Sequence, residues 1–243
     1  MKIFYFKVNK SRKITSLVSN LVIAIMLVTV FGFSFAGGTL KVFNSNSDGL
    51  AIYNGNLNSR NVSLMINVYW GDEFLDDMLS VIKEKNISVT FFVGGVWASK
   101  NQEMMQKMLA NNCELANHGY QHKDQDKISE QQNYNEIFQT HQIVKSLTGV
   151  EMNLFAPPSG AYNSTTLKVA NQLGYKTIMW TKDTIDWRDQ DENLIYNRAI
   201  KNPQGGDLIL MHPTEKTLQA LPRIIDYYIQ NGFNLTTVTQ TLA

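Results

Sequence analysis

The chain has 243 residues, enough for one domain of ordinary size plus an appendage. Hydrophobic residues make up 44% and charged residues 18%, which excludes a disordered, charge-rich chain. With 22 basic and 21 acidic residues the net charge is +1, so no global field draws in nucleic acid, and no nucleic-acid partner is expected. The single cysteine, Cys113, excludes an internal disulfide and a thiolate cluster.

The first residues carry Lys2, Lys7, Lys10, Arg12 and Lys13 and no acid, and an apolar run follows from Leu17 to Phe35. A basic flank ahead of an apolar run is an export signature. Residues 1–36 read as a signal peptide or a signal anchor. Ser34-Phe35-Ala36 fits a small-x-small cleavage site, while the run approaches the ~20 residues that span a bilayer as a membrane-targeting helix. Either way the protein is expected outside the cytoplasm, held at the membrane with its body facing outward or released to the wall. Residues 37–60, rich in Gly, Asn and Ser, read as a linker. Residues 61–243 read as the folded domain.

From Val62 onward strand-like and helix-like segments alternate. Strands are expected over 62–68, 87–93, 113–116, 151–155, 176–180, 207–211 and 235–238. Helices are expected over 74–85, 100–111, 129–147, 164–173, 192–200 and 214–230. Repeated β-then-α order implies an α/β fold with a parallel sheet. About seven strands in one domain favour a distorted β/α barrel. Chemistry in such folds sits where strands end.

Five strand ends carry polar residues with no packing reason to be there: Trp70-Gly71-Asp72-Glu73, Asn117-His118-Gly119-Tyr120-Gln121-His122, Ala156-Pro157-Pro158-Ser159-Gly160-Ala161-Tyr162-Asn163, Asp183-Thr184-Ile185-Asp186-Trp187 and His212-Pro213. A spacing of four puts His118 and His122 on one side of a helical turn, where two imidazoles converge on one cation. Two His and one carboxylate leave open positions for water, as a hydrolytic metal site requires. Asp72 is the leading carboxylate, against its alternative use as a helix N-cap. Glu73 is a poorer candidate, with a favourable first-turn charge as its alternative use.

In this order Trp70-Gly71-Asp72, Thr90-Phe91-Phe92-Val93, His118 to His122, Pro157 to Asn163, Asp183 to Trp187 and Leu208 to His212 resemble the polysaccharide deacetylase family (NodB homology, carbohydrate esterase family 4), over roughly residues 60–242. The Trp-Gly-Asp variant resembles the sporulation-associated members. The resemblance implies a distorted barrel, a cell-wall aminosugar polymer as substrate, removal of N-acetyl groups, and a divalent metal, zinc first, held by Asp72, His118 and His122. It assigns His212 as the acid that protonates the leaving amine, oriented by Asp183 or Asp186, with Asp186 beside Trp187 the better match. Trp187 and Leu210 would wall the acetyl methyl, Pro158, Ser159 and Gly160 would present backbone N–H groups to the oxyanion, and Tyr162 joins the substrate-binding set.

Two positions depart from the family. Its general base, an Asp, is Asn67 here, and a side-chain amide cannot take a proton from water. The Arg that tethers that base is Ala156. The two changes are coherent, because a buried guanidinium without a carboxylate partner is costly. A deacetylase weakened at its base and a silent wall-glycan binder are both compatible with the sequence.

Overall fold

The computed structural model describes residues 49–243. The expected export segment, residues 1–36, and the front of the linker lie outside the described residues. Among the described residues no helix is long and apolar enough to cross a membrane.

Among the described residues nine strands are present: β1 (Ala51–Ile52), β2 (Asn61–Val68), β3 (Thr90–Val93), β4 (Glu114–Asn117), β5 (Leu154–Phe155), β6 (Lys176–Ile178), β7 (Lys182–Asp183), β8 (Leu208–Met211) and β9 (Asn234–Leu235). Eight helices accompany them: α1 (Leu75–Glu84), α2 (Gly95–Ala98), α3 (Gln102–Ala110), α4 (Glu130–Thr148), α5 (Ser164–Gln172), α6 (Glu192–Ala199), α7 (Glu215–Gln230) and α8 (Val238–Leu242). Every strand pair is parallel. The order is β1-β6-β5-β4-β3-β2-β8-β7, with β9 added to β2. The sheet is a curled parallel half-barrel, the open form of the distorted β/α barrel expected, with more strands than the seven or so the sequence predicts. β1 and β7 end the path without pairing with each other.

Helix positions follow local chemistry. In α1, Leu75, Met78, Leu79 and Ile82 are buried at helical spacing. The long α4 opens on a capping box between Ser129 and Gln132 and stops at Gly149, whose φ of 78° suits glycine. α5 is capped by Asn163, not by Ser164, which becomes its first residue. The expected strand 235–238 is cut short because Thr237 caps α8. The expected linker contains β1, whose Ala51 and Ile52 pair with Thr177 and Ile178 of β6.

Two apolar layers result. The larger lies between sheet and helices and includes Leu64, Ile66, Phe91, Met105, Ile137, Ile209 and Tyr228. The smaller fills the concave side of the sheet: Met65, Phe92, Ala116, Leu154, Ala156, Ile178, Leu208 and, from α8, Val238. Side chains two apart on a strand share a face. Two residues further along the chain from Met65, Ala116, Ile178 and Leu208 stand Asn67, His118, Trp180 and Leu210. The interior column therefore ends, on the C-terminal side of the strands, in this second set.

Candidate active site

Those four residues line a cavity of about 440 Å³, together with Tyr69, Trp70, His122, Ser159, Gly160, Asp183, Trp187 and His212. Sequence-predicted residues from five strand ends thus meet at one place.

His118 directly follows β4 and is 1% exposed. Its Nδ1 lies 2.8 Å from the Ala156 carbonyl oxygen. A carbonyl can only accept, so Nδ1 carries the proton and Nε2 keeps its lone pair. Burial, and then the neighbouring His122, lowers the His118 pKa to about 3. His122 is also lowered, chiefly by burial. Their ring centroids are 5.0 Å apart, edge to face. The expected helical turn is absent: the segment is an irregular loop in which Gly119 and His122 have φ of 73° and 56°. A buried carboxylate shapes it. Glu136 of α4 accepts from the N–H groups of Tyr120 (2.8 Å) and Gln121 (2.7 Å) through one oxygen. Asn117 Oδ1 accepts from Gly119 N–H. Sequence reasoning missed Glu136, since nothing marks one acid on a long polar helix as facing inward.

Asp72 does not line the cavity. It lies in a one-turn 3₁₀ segment, Asp72–Phe74, entered through Gly71 at φ 82°, and no side chain caps that turn. The residue is exposed, and its Oδ1 accepts the indole N–H of Trp97. Among the described residues, no three His, Cys, Asp or Glu side chains gather closely enough to hold an ion. The residues present do not fit the metal centre that the resemblance implies. What the cavity offers beside two neutral imidazoles is Asn67, 5% exposed, whose Oδ1 is buried without a hydrogen-bond partner.

The other half of the site is a His–Asp pair. Asp186 is fully buried. It receives His212 Nδ1 at 2.8 Å, His212 N–H at 2.6 Å and Thr217 Oγ1 at 2.6 Å. Of the two acids left open by the sequence, Asp186 is therefore the one bonded to His212. Asp183 lines the cavity and accepts from Ile185 N–H at 2.8 Å. Ile185 has φ 53°, costly for a β-branched residue, and the segment is pinned by Arg198, which donates to Thr184 O and to Asp189. With Nδ1 committed to Asp186, His212 keeps Nε2 for proton exchange. Trp70 stacks on the His212 ring at 6.0 Å.

Pro158–Gly160 forms a single 3₁₀ turn with Ser159 at φ 57°. Pro158 has no N–H, and Gly160 N–H is bonded to Pro157 O. Ser159 is the remaining donor of that turn. Ala156 is fully buried in the smaller apolar cluster, and Leu210 and the half-exposed Trp187 supply apolar wall. Tyr162 is not part of the lining; its hydroxyl is 2.8 Å from that of Tyr53. Trp180 was missed, although a Trp ending a short strand was a visible signal.

Comparison with known proteins accords with this arrangement. The polysaccharide deacetylase profile matches residues 54–178, just over half of the chain. The chain is similar to the uncharacterized protein YlxY of Bacillus subtilis, 33% identical over 191 residues, 79% of this chain and 60% of YlxY. It therefore spans less than two thirds of that relative. It is 27% identical, over 76% of its length and 70% of the other's, to a peptidoglycan-N-acetylglucosamine deacetylase of Bacillus cereus. Among solved structures it is similar to BA3943 of Bacillus anthracis, a CE4 family pseudoenzyme, with TM-score 0.77 and 32% identity over 80% of this chain and 69% of that one. A BA3943 mutant with restored enzymatic activity matches with the same TM-score at 30% identity, over 80% of this chain and 71% of that one. The fold, the ordered strand-end motifs and the profile match agree: the chain belongs to the polysaccharide deacetylase family.

Proposed function

We propose that the chain binds N-acetylated cell-wall glycan in this cavity, with hydrolysis strongly attenuated. The observation that carries this is the unpaired, buried Asn67 Oδ1 in a cavity also lined by His118, His122, Leu210 and Trp187. A buried acceptor without a partner is stabilised by a ligand N–H or O–H. An acetamido group supplies an N–H beside a methyl, which Leu210 and Trp187 suit. No carboxylate stands at position 67 to take a proton from water, and general-base help is worth about 10²–10⁴-fold. The similarity to a pseudoenzyme and to peptidoglycan deacetylases supports both halves of the reading.

A second reading, deacetylation at a useful rate, is favoured by the His212–Asp186 pair, which a pure binder does not need. The wall as location rests on the nature of the glycan and on the basic-then-apolar run of residues 1–36. The Trp70-Gly71-Asp72 segment points to the spore envelope as the compartment. Calorimetric titration with N-acetylglucosamine oligomers, beside an acetate-release assay on the same material, tests the reading. Saturable binding without acetate above a His212→Ala control is the expected result. Turnover well above that control would establish the second reading, and no binding would reject the first.

A further inference from the structure

We infer that Tyr53 and Tyr162 form a second sugar-binding subsite, a shelf outside the cavity that receives the glycan chain leaving it. The inference rests on the glycan reading above and deepens it, since a shelf selects a polymer over a single sugar.

Two independent paths place the pair at the cavity lip. Ile52 is the register partner of Ile178, and Met179 N–H donates to Ile52 O at 2.7 Å. Tyr53 therefore leaves β1 beside Met179 and Trp180, and Trp180 lines the cavity. From the other side, Tyr162 follows Ser159 and Gly160, both of which line the cavity. A Cβ on Gly160 would stand 2.7 Å from Trp180 Cη2, so this turn and the indole are in close contact. The two tyrosines meet through their hydroxyls at 2.8 Å.

The pair has the properties a sugar platform needs. Tyr53 is 47% exposed, a large apolar ring kept in solvent. The hydroxyl bridge fixes both rings, so less rotamer freedom remains to be lost on binding. The bridge also holds the Tyr162 phenol above its ordinary pKa, with the Tyr53 hydrogen bond as the first cause. A pyranose presents a face of C–H groups to an aromatic ring while its hydroxyls stay in water, which an amphipathic tyrosine suits. The other exposed aromatics among the described residues divide between the cavity mouth, Trp70 and Trp187, and the outer face of α4, Tyr134 and Phe138. Only Tyr53 continues the lip.

Affinity of the full-length chain for a disaccharide and a pentasaccharide of N-acetylglucosamine tests the shelf. The unaltered chain is expected to bind the longer ligand about tenfold more tightly. Tyr53→Ala should remove that gain and leave disaccharide affinity within about twofold, while Tyr53→Phe and Tyr162→Phe keep most of it, because the rings remain and only the bridge's preorganisation is lost. Equal losses in the Phe and Ala variants, with lowered melting temperatures, would show the bridge to be a staple between β1 and the turn and overturn the shelf. An unaltered gain in Tyr53→Ala would overturn it too. Failure of the unaltered chain to bind either oligomer would reject the glycan reading itself, and the shelf with it.

Discussion

The indole N–H of Trp97 is bonded to the carboxylate of Asp72, and that acid stands outside the cavity that holds His118 and His122. Two neutral imidazoles with no third His, Cys, Asp or Glu gathered beside them among the described residues make a poor trap for a divalent ion. The purified chain should therefore retain well under one equivalent of zinc after gel filtration. Chelator should leave its melting temperature unchanged. A chelator-induced fall of more than about 4 °C, which in a domain this size means more than about 1 kcal/mol of linked binding, would contradict the geometry.

Asn67 lines the cavity and Ala156 belongs to the smaller apolar cluster beneath it, and the second prediction concerns their coupling. Asn67→Asp alone places a carboxylate where no cation faces it. It should cost about 2–4 kcal/mol at neutral pH, as an unpaired buried charge does. Its pKa would be raised by burial, so the cost should shrink as pH falls through that raised value. Adding Ala156→Arg should recover most of the stability and raise acetate release by about 10²-fold. Denaturant melts of both variants read the coupling. Additive losses would mean that the two positions do not face each other.

Glu136 is the third test, because it shapes the loop without touching the cavity. Its single oxygen serves two backbone N–H groups, and its own exposure is 4%. Glu136→Ala should cost about 2–4 kcal/mol, since charge-assisted bonds to buried donors are among the stronger ones. Glycan affinity should fall with it as His118 and His122 lose their placement. Glu136→Gln keeps an oxygen acceptor and should lose about 1 kcal/mol or less. The Lys123 contact, at 3.5 Å from a lysine side chain 42% exposed, adds little. Equal losses for Ala and Gln would point to charge rather than to the paired N–H bonds.

Much of the fold was written locally. Alternating β-branched and amphipathic segments located seven of the strands and six of the helices because each buries its own stripe or face. β1 and β7 were not legible, since two-residue strands carry no period and exist only through their register with β6 and β8. How far the sheet curls was hidden for the same reason. At the site, His118, His212, Asn67 and Leu210 were legible as strand-end residues. The His118–His122 spacing misled: four residues meant a helical turn only while the backbone was taken as helical, and Gly119 with Glu136 bends it otherwise. Asp72 misled through sequence proximity, because Gly71's positive φ turns the chain toward Trp97. Neither effect has a sequence period.

The last prediction follows from His118. Its folded pKa, about 3, lies below the ordinary value of 6.5. Between those values the unfolded chain binds one more proton than the folded one. Stability therefore rises with pH across this window and falls on acidification, by about 1.4 kcal/mol per pH unit for the single group. Above pH 6.5 neither state is protonated at this ring and its contribution is flat. Carboxylates begin to titrate near pH 5, so the clean interval is roughly pH 5–6.5. His122, lowered in the same direction, adds a slope of the same sign. His118→Gln, whose amide nitrogen can still donate to Ala156 O, should lose the one-proton part of the slope and keep the rest. Urea midpoints for both proteins at several pH values across that interval measure the difference. Parallel curves would mean that His118 is solvated and protonates freely in the folded state, and its burial as a neutral imidazole would have to be given up.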